Sequence, residues 1–127
     1  MPIKSPRAKG NRNRNKSRLL YESDGWVIDV VEKTSKWVVE KDLFSSTGAG
    51  FDLIGLKRNT IVLIQVKTNR IPKLDSYIEF AKKYAGTNLL IHINVWFDRA
   101  GCVVKTIDSS GIIFTNDLRK RKQNGNG

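Results

Sequence analysis

The stretch from Phe51 to Lys67 limits the possible folds more than any other part of the chain. Phe51–Leu56 and Ile61–Lys67 are strand-like runs, separated by the turn-forming Lys57-Arg58-Asn59-Thr60. Folded symmetrically about Arg58-Asn59, the hairpin sets Leu56 against Ile61, Ile54 against Leu63 and Asp52 against Gln65. Side chains alternate along a strand, so these residues and Lys67 share one face. The other face takes Phe51, Leu53, Val62, Ile64 and Val66. Both faces are apolar, as expected of central strands covered from above and below. The hairpin therefore predicts a sheet sandwiched between two other layers.

The flanking sequence supplies those layers. Asn11 to Asp24 reads as a helix closed by Gly25, with Leu19, Leu20 and Tyr21 as its apolar patch. Trp26–Glu32 and Trp37–Lys41 read as strands around a turn at Lys33–Lys36, and Ser45–Gly50 as a loop. Pro72 opens a second helix, with Leu74, Tyr77, Ile78, Ala81, Tyr84 and Ala85 on one face and Gly86 as its stop. Leu89–Phe97 and Cys102–Ile107 make a last strand pair, and Ile112–Leu118 a short closing element. The expected fold class is α/β (α+β), helix, four strands, helix, two strands.

Charge is distributed unevenly. Of 127 residues, 23 are Lys or Arg and 12 are Asp or Glu, a formal net charge of +11. Residues 1–18 hold Lys4, Arg7, Lys9, Arg12, Arg14, Lys16 and Arg18, and the far end holds Arg119, Lys120, Arg121 and Lys122. Without those eleven, the body has 12 basic residues against all 12 acids and is formally neutral. We expect a basic flexible arm over 1–10, a single domain over 11–118 and a basic flexible tail over 119–127. Such ends suit phosphate backbones, so the expected partner is nucleic acid. The lone Cys102 excludes a disulfide framework and a zinc finger. No apolar run approaches the roughly 20 residues of a membrane helix, and no signal-peptide segment follows the basic start. A soluble, cytoplasmic protein with no membrane partner and no small-molecule cofactor is expected.

Within the hairpin, Asp52, Gln65 and Lys67 cluster at one end of an otherwise apolar face. A carboxylate and an amide oxygen are hard donors of the kind Mg²⁺ or Mn²⁺ takes. A lysine beside them could neutralise charge on a phosphate. The plainer alternative is a solvated Asp–Lys ion pair, and the residues alone leave both open.

The run Phe51-Asp52-Leu53-Ile54, with the twelve residues Leu53 through Ile64 between Asp52 and Gln65-Val66-Lys67-Thr68, resembles the core of the PD-(D/E)XK nuclease superfamily. Its form is close to the Holliday-junction-resolvase-like branch, over roughly Lys9 to Ile107. The resemblance implies a restriction-endonuclease-like core, a central mixed sheet flanked by helices. It also implies Mg²⁺- or Mn²⁺-dependent endonuclease activity on branched DNA, in a homodimer. By the same resemblance Asp52, Gln65 and Lys67 are catalytic, and Asp52 and Gln65 hold the metal.

Gln65 replaces the family's second acid, and Asn13 stands where a helix glutamate is usual. Asp42, in Asp42-Leu43-Phe44, is a further candidate ligand or a turn cap. Candidate nucleic-acid contacts are Lys9, Arg12, Arg14, Lys16, Arg18, Ser45, Ser46, Arg70 and Arg119 through Lys122. His92 reads as a satisfied core residue, and Trp26, Trp37 and Trp96 as core or dimer contacts unless exposed to stack on a base. The rival readings are a DNA-binding module of the same fold with a weak or inactive site, and a small basic RNA-associated protein.

Overall fold

The computed structural model describes residues 6–30 and 51–119. Among them a six-stranded mixed sheet carries two helices, an α+β arrangement. The elements are α1 (Pro6–Ser23), β1 (Val27–Val30), β2 (Leu53–Lys57), β3 (Thr60–Thr68), α2 (Asp75–Lys82), β4 (Leu89–Phe97), β5 (Gly101–Ile107) and β6 (Ile113–Asp117). The strands lie side by side in chain order. Only β3 and β4 are parallel, joined through α2; every other pair is antiparallel. No helix among the described residues is long and apolar enough to cross a membrane. The expected strand at Trp37–Lys41 and loop at Ser45–Gly50 lie outside the described residues.

The central hairpin has the expected register, with Leu53 opposite Ile64, Ile54 opposite Leu63 and Leu56 opposite Ile61. Its turn is tighter than read: Lys57 pairs with Thr60, leaving Arg58-Asn59 as a two-residue connection with Arg58 at φ +53°. The two faces build two separate cores. Leu53, Val62 and Ile64 pack with Tyr21 and Ile28 on the α1 side. Leu63, Ile91, Ile93 and Val95 pack with Tyr77, Phe80 and Ala81 on the α2 side. Phe51 departs from its expected face, because β2 begins only at Leu53 and strand alternation does not reach back to it. It packs on Tyr77 and Phe80 instead, at ring separations of 6.0 and 5.6 Å.

Helix α1 starts at Pro6 rather than Asn11, with proline in the first turn, where its missing N–H costs nothing. It ends as expected at Gly25, whose φ of +92° a side chain would resist. There the Trp26 N–H donates to Tyr21 O and the Gly25 N–H to Glu22 O, a Schellman closure with Trp26 edge-on to Tyr21. The expected apolar patch is wrong in detail: Tyr21 is buried, but Leu19 is 66% exposed. The face of α1 against the sheet is Asn13, Ser17 and Tyr21, one residue per turn and mostly polar.

Helix α2 is shorter than the 72–86 periodicity suggests. Beyond Lys82 the chain winds on through hydrogen bonds to carbonyls three residues back, then turns at Gly86 (φ +85°). Phe80, absent from the expected apolar face, is among its most buried side chains.

Candidate active site

Asp52 occupies the bend just before β2, pinned by its N–H donating to Ile64 O at 2.8 Å. That anchor turns its carboxylate across β3, where Oδ2 accepts the Val66 N–H at 2.8 Å and the Gln65 amide Nε2 at 3.0 Å. Gln65 is buried, and its Oε1 accepts the Tyr77 hydroxyl at 3.4 Å. Burial first, and the Asp52 charge second, push the Tyr77 phenol above its ordinary value, so it stays a protonated donor. The pair expected from the hairpin register is thus in contact, with α2 supplying a third polar group from the layer beyond.

The donors suit a divalent cation in kind. Asp52 and Gln65 offer a carboxylate and an amide oxygen, the hard ligands of Mg²⁺, an ion that keeps several waters beside one or two carboxylates. To offer oxygen, Gln65 would have to turn its amide, because it now gives Asp52 an N–H. Among the described residues no three of His, Cys, Asp and Glu gather as a metal-holding group. Asp42 lies outside the described residues.

Lys67 follows Gln65 by two residues on the same face of β3 and is half-buried. It makes no ion pair with another described residue, so the plain Asp52–Lys67 pair is not formed. With Thr68, Arg70, Pro72 and Lys73 it lines a cleft of about 450 Å³. Three cations, Lys67, Arg70 and Lys73, thus share a concave surface.

The other basic candidates separate into groups. Arg12 and Lys16 are exposed one turn apart on α1 and share a cleft with Trp96. Arg14 donates to Asn11 Oδ1 at 3.2 Å. Arg18 pairs with Glu22 at 3.1 Å, and Arg119 grips Asp117 at 2.7 Å while lying 4.9 Å from the Phe97 ring centroid. Lys9 belongs to α1. Ser45, Ser46, Lys120, Arg121 and Lys122 lie outside the described residues.

Sequence reasoning missed a hydrogen-bonded chain between α1 and β4. Trp96 Nε1 donates to Ser17 Oγ at 2.8 Å, and Ser17 Oγ donates to Asn94 Oδ1 at 3.0 Å. Asn94 Nδ2 donates to the Tyr21 hydroxyl at 2.9 Å. That leaves the Tyr21 proton for His92 Nδ1, 2.6 Å away. Alongside, Asn13 Nδ2 donates to Thr68 Oγ1 at 2.8 Å, so Asn13 braces the end of β3 on the face opposite Gln65. No buried side-chain nitrogen or oxygen among the described residues lacks a partner. Two spacings carried the signal, Asn13-Ser17-Tyr21 at four residues and His92-Asn94-Trp96 at two.

The chain matches no model of a known protein family and none of the curated proteins.

Proposed function

We propose that the chain is a small metal-dependent DNA endonuclease of the PD-(D/E)XK type, with a restriction-endonuclease-like core and a preference for branched DNA. The observation that carries this reading is the meeting of Asp52 and Gln65 at 3.0 Å, with Lys67 next along the same face. Packing alone does not call for a carboxylate and an amide at that point of an apolar face. The order of helix, three antiparallel strands, helix and parallel strand agrees with the core the motif implies.

In this reading Asp52 and Gln65 Oε1 hold Mg²⁺ or Mn²⁺, which when bound would neutralise a phosphate oxygen and acidify a water. The Val66 N–H fixes the Asp52 carboxylate in place, so the change needed when a ligand arrives is the turn of the Gln65 amide. Lys67 sets a positive charge where negative charge builds on the attacked phosphate, and Arg70 and Lys73 hold its neighbours. The protein works as a homodimer, since a four-way junction presents two symmetry-related cuts. It acts in a reducing, cytoplasmic setting, where the buried thiol of Cys102 stays unoxidised.

A second reading is a DNA-binding module that does not cut. It is favoured by the Gln65 N–H standing against Asp52 where a cation would otherwise be. Labelled four-way junction, flap and linear duplex, each with Mg²⁺, Mn²⁺ or EDTA, separate the two. Metal-dependent cleavage, fastest on the junction, supports the nuclease. Binding without cleavage in either metal supports the module. Failure to bind any DNA, with binding of RNA instead, removes both.

A further inference from the structure

A second cleft, of about 710 Å³, opens between the first half of α1 and the β4–β5 turn. Its walls include Arg12, Lys16, Arg99, Trp96, Phe97 and Asp98. The volume falls in the range that takes a small organic ligand. Three cations face one acid, and Asp98 Oδ2 already accepts the Asn69 amide at 2.8 Å. The cleft therefore favours an anion.

Trp96 says which anion. Trp96 is half-buried, and its indole N–H is tied to Ser17 Oγ, which is tied in turn to buried Asn94. The ring is thus held in one orientation before any ligand arrives. The Lys16 ammonium lies over the ring, 5.4 Å from its centroid. A half-buried indole that already holds a cation over its ring, with Arg12 and Arg99 in the same cleft, suits a ligand that is aromatic at one end and anionic at the other. A nucleotide is such a ligand, and aromatic stacking binds any base.

The register places this cleft near the candidate active site. Trp96 pairs with Thr68 across the parallel β3–β4 ladder, and Lys67 pairs with Val95. Lys67 and Trp96 therefore point to opposite faces of the same sheet end, on neighbouring strands. A strand crossing that rim could present a phosphodiester to one face and an unpaired base to the other.

We propose that the cleft is a subsite for an unpaired nucleotide of single-stranded DNA. The base stacks on Trp96, displacing the Lys16 ammonium from over the ring, and its phosphates lie on Arg12, Lys16 and Arg99. This deepens the proposed function and rests on its nucleic-acid-binding half, not on catalysis.

The test is anisotropy of a labelled 15-residue oligothymidine and a blunt hairpin duplex, each titrated with the full chain in EDTA. Trp96→Leu removes the stacking surface and should weaken oligothymidine binding about fivefold to a hundredfold, the range of base–aromatic stacking. Hairpin binding should change less than about twofold. Because Trp96→Leu also unties Ser17, Arg99→Glu on the exposed turn is the second variant. It should weaken oligothymidine binding more than hairpin binding and flatten the salt slope of the former by about 0.7 for each phosphate no longer neutralised. In the unaltered protein, ultraviolet cross-linking to a 5-bromodeoxyuridine oligonucleotide should map to Trp96. Equal weakening for both DNAs in both variants, or cross-links elsewhere, would overturn the subsite while leaving DNA binding intact. An unaltered chain that binds neither DNA would overturn the function reading as well.

Discussion

Asp52 holds two groups at once, the Gln65 amide and the Val66 N–H. Truncation to alanine would strand both donors in a part-buried place, at a cost of about 1–3 kcal/mol. Asp52→Asn keeps an accepting oxygen and removes only the charge. Urea midpoints should therefore fall clearly for Asp52→Ala and little for Asp52→Asn. Equal drops would mean that the charge, not the acceptor, holds the bend. His92 gives a second residue-scale prediction. Burial lowers it from 6.5 to about 4, in keeping with a neutral ring whose Nδ1 accepts from Tyr21. The unfolded chain takes up a proton near pH 6.5, whereas the folded one resists until about 4. Stability is thus complete above pH 6.5 and declines as pH falls towards 4, by roughly 3 kcal/mol at most. Denaturation midpoints between pH 7.5 and 4.5 should show this slope, and His92→Gln should remove most of it. At this scale the Asp52–Gln65 pairing was legible, because register alone brings the two together. The Tyr77 contact was not, because it depends on how α2 docks.

Among the elements, the central hairpin was the most legible and α1 the least. Alternation over Ile61–Lys67 has one reading, and the observed register agrees with it. The pattern of α1 misled because its buried stripe is polar, so Leu19 and Leu20 stood out instead. Hydrogen bonds to β4 take the place of apolar packing there. Ser17→Ala should cost about 1–3 kcal/mol, since the Trp96 indole and Asn94 Oδ1 are both left without their partner. A midpoint unchanged from the unaltered protein would mean that the chain of hydrogen bonds contributes nothing net. On β2, Gly55 is fixed by crowding. A Cβ there would meet Ile28 Cδ1 and Val62 Cγ1 at 2.7 Å and Trp26 Cε3 at 3.3 Å. Gly55→Ala should therefore destabilise by about 1–3 kcal/mol through overpacking, despite alanine's lower cost in the unfolded chain. The shortened α2 escaped the periodicity because turns at 83–86 continue the apolar pattern without the helix.

Across the whole molecule, the proposed reading assigns affinity to the basic residues of both ends, of which Arg7, Lys9, Arg12, Arg14, Lys16 and Arg18 belong to the folded α1, and shape recognition to the folded surface. Because α1 begins at Pro6, trimming residues 1–5 and 120–127 spares the helix while removing Lys4, Lys120, Arg121 and Lys122. DNA binding should weaken for every substrate shape, with the salt slope on duplex flattening by roughly 0.9 for each phosphate the ends no longer neutralise. An unchanged slope would free the ends of that role. The central claim, that Asp52 and Gln65 form a metal-dependent phosphodiester site, is tested most directly by single-turnover cleavage of a four-way junction in Mg²⁺. The comparison is between the unaltered chain, Asp52→Asn and Gln65→Glu. Removing the Asp52 charge should slow cleavage by at least about 100-fold, as removal of an electrostatic element of an active site does. Gln65→Glu, which restores a second carboxylate for the cation, should hold or raise the rate. Cleavage by Asp52→Asn at the rate of the unaltered chain would contradict the account.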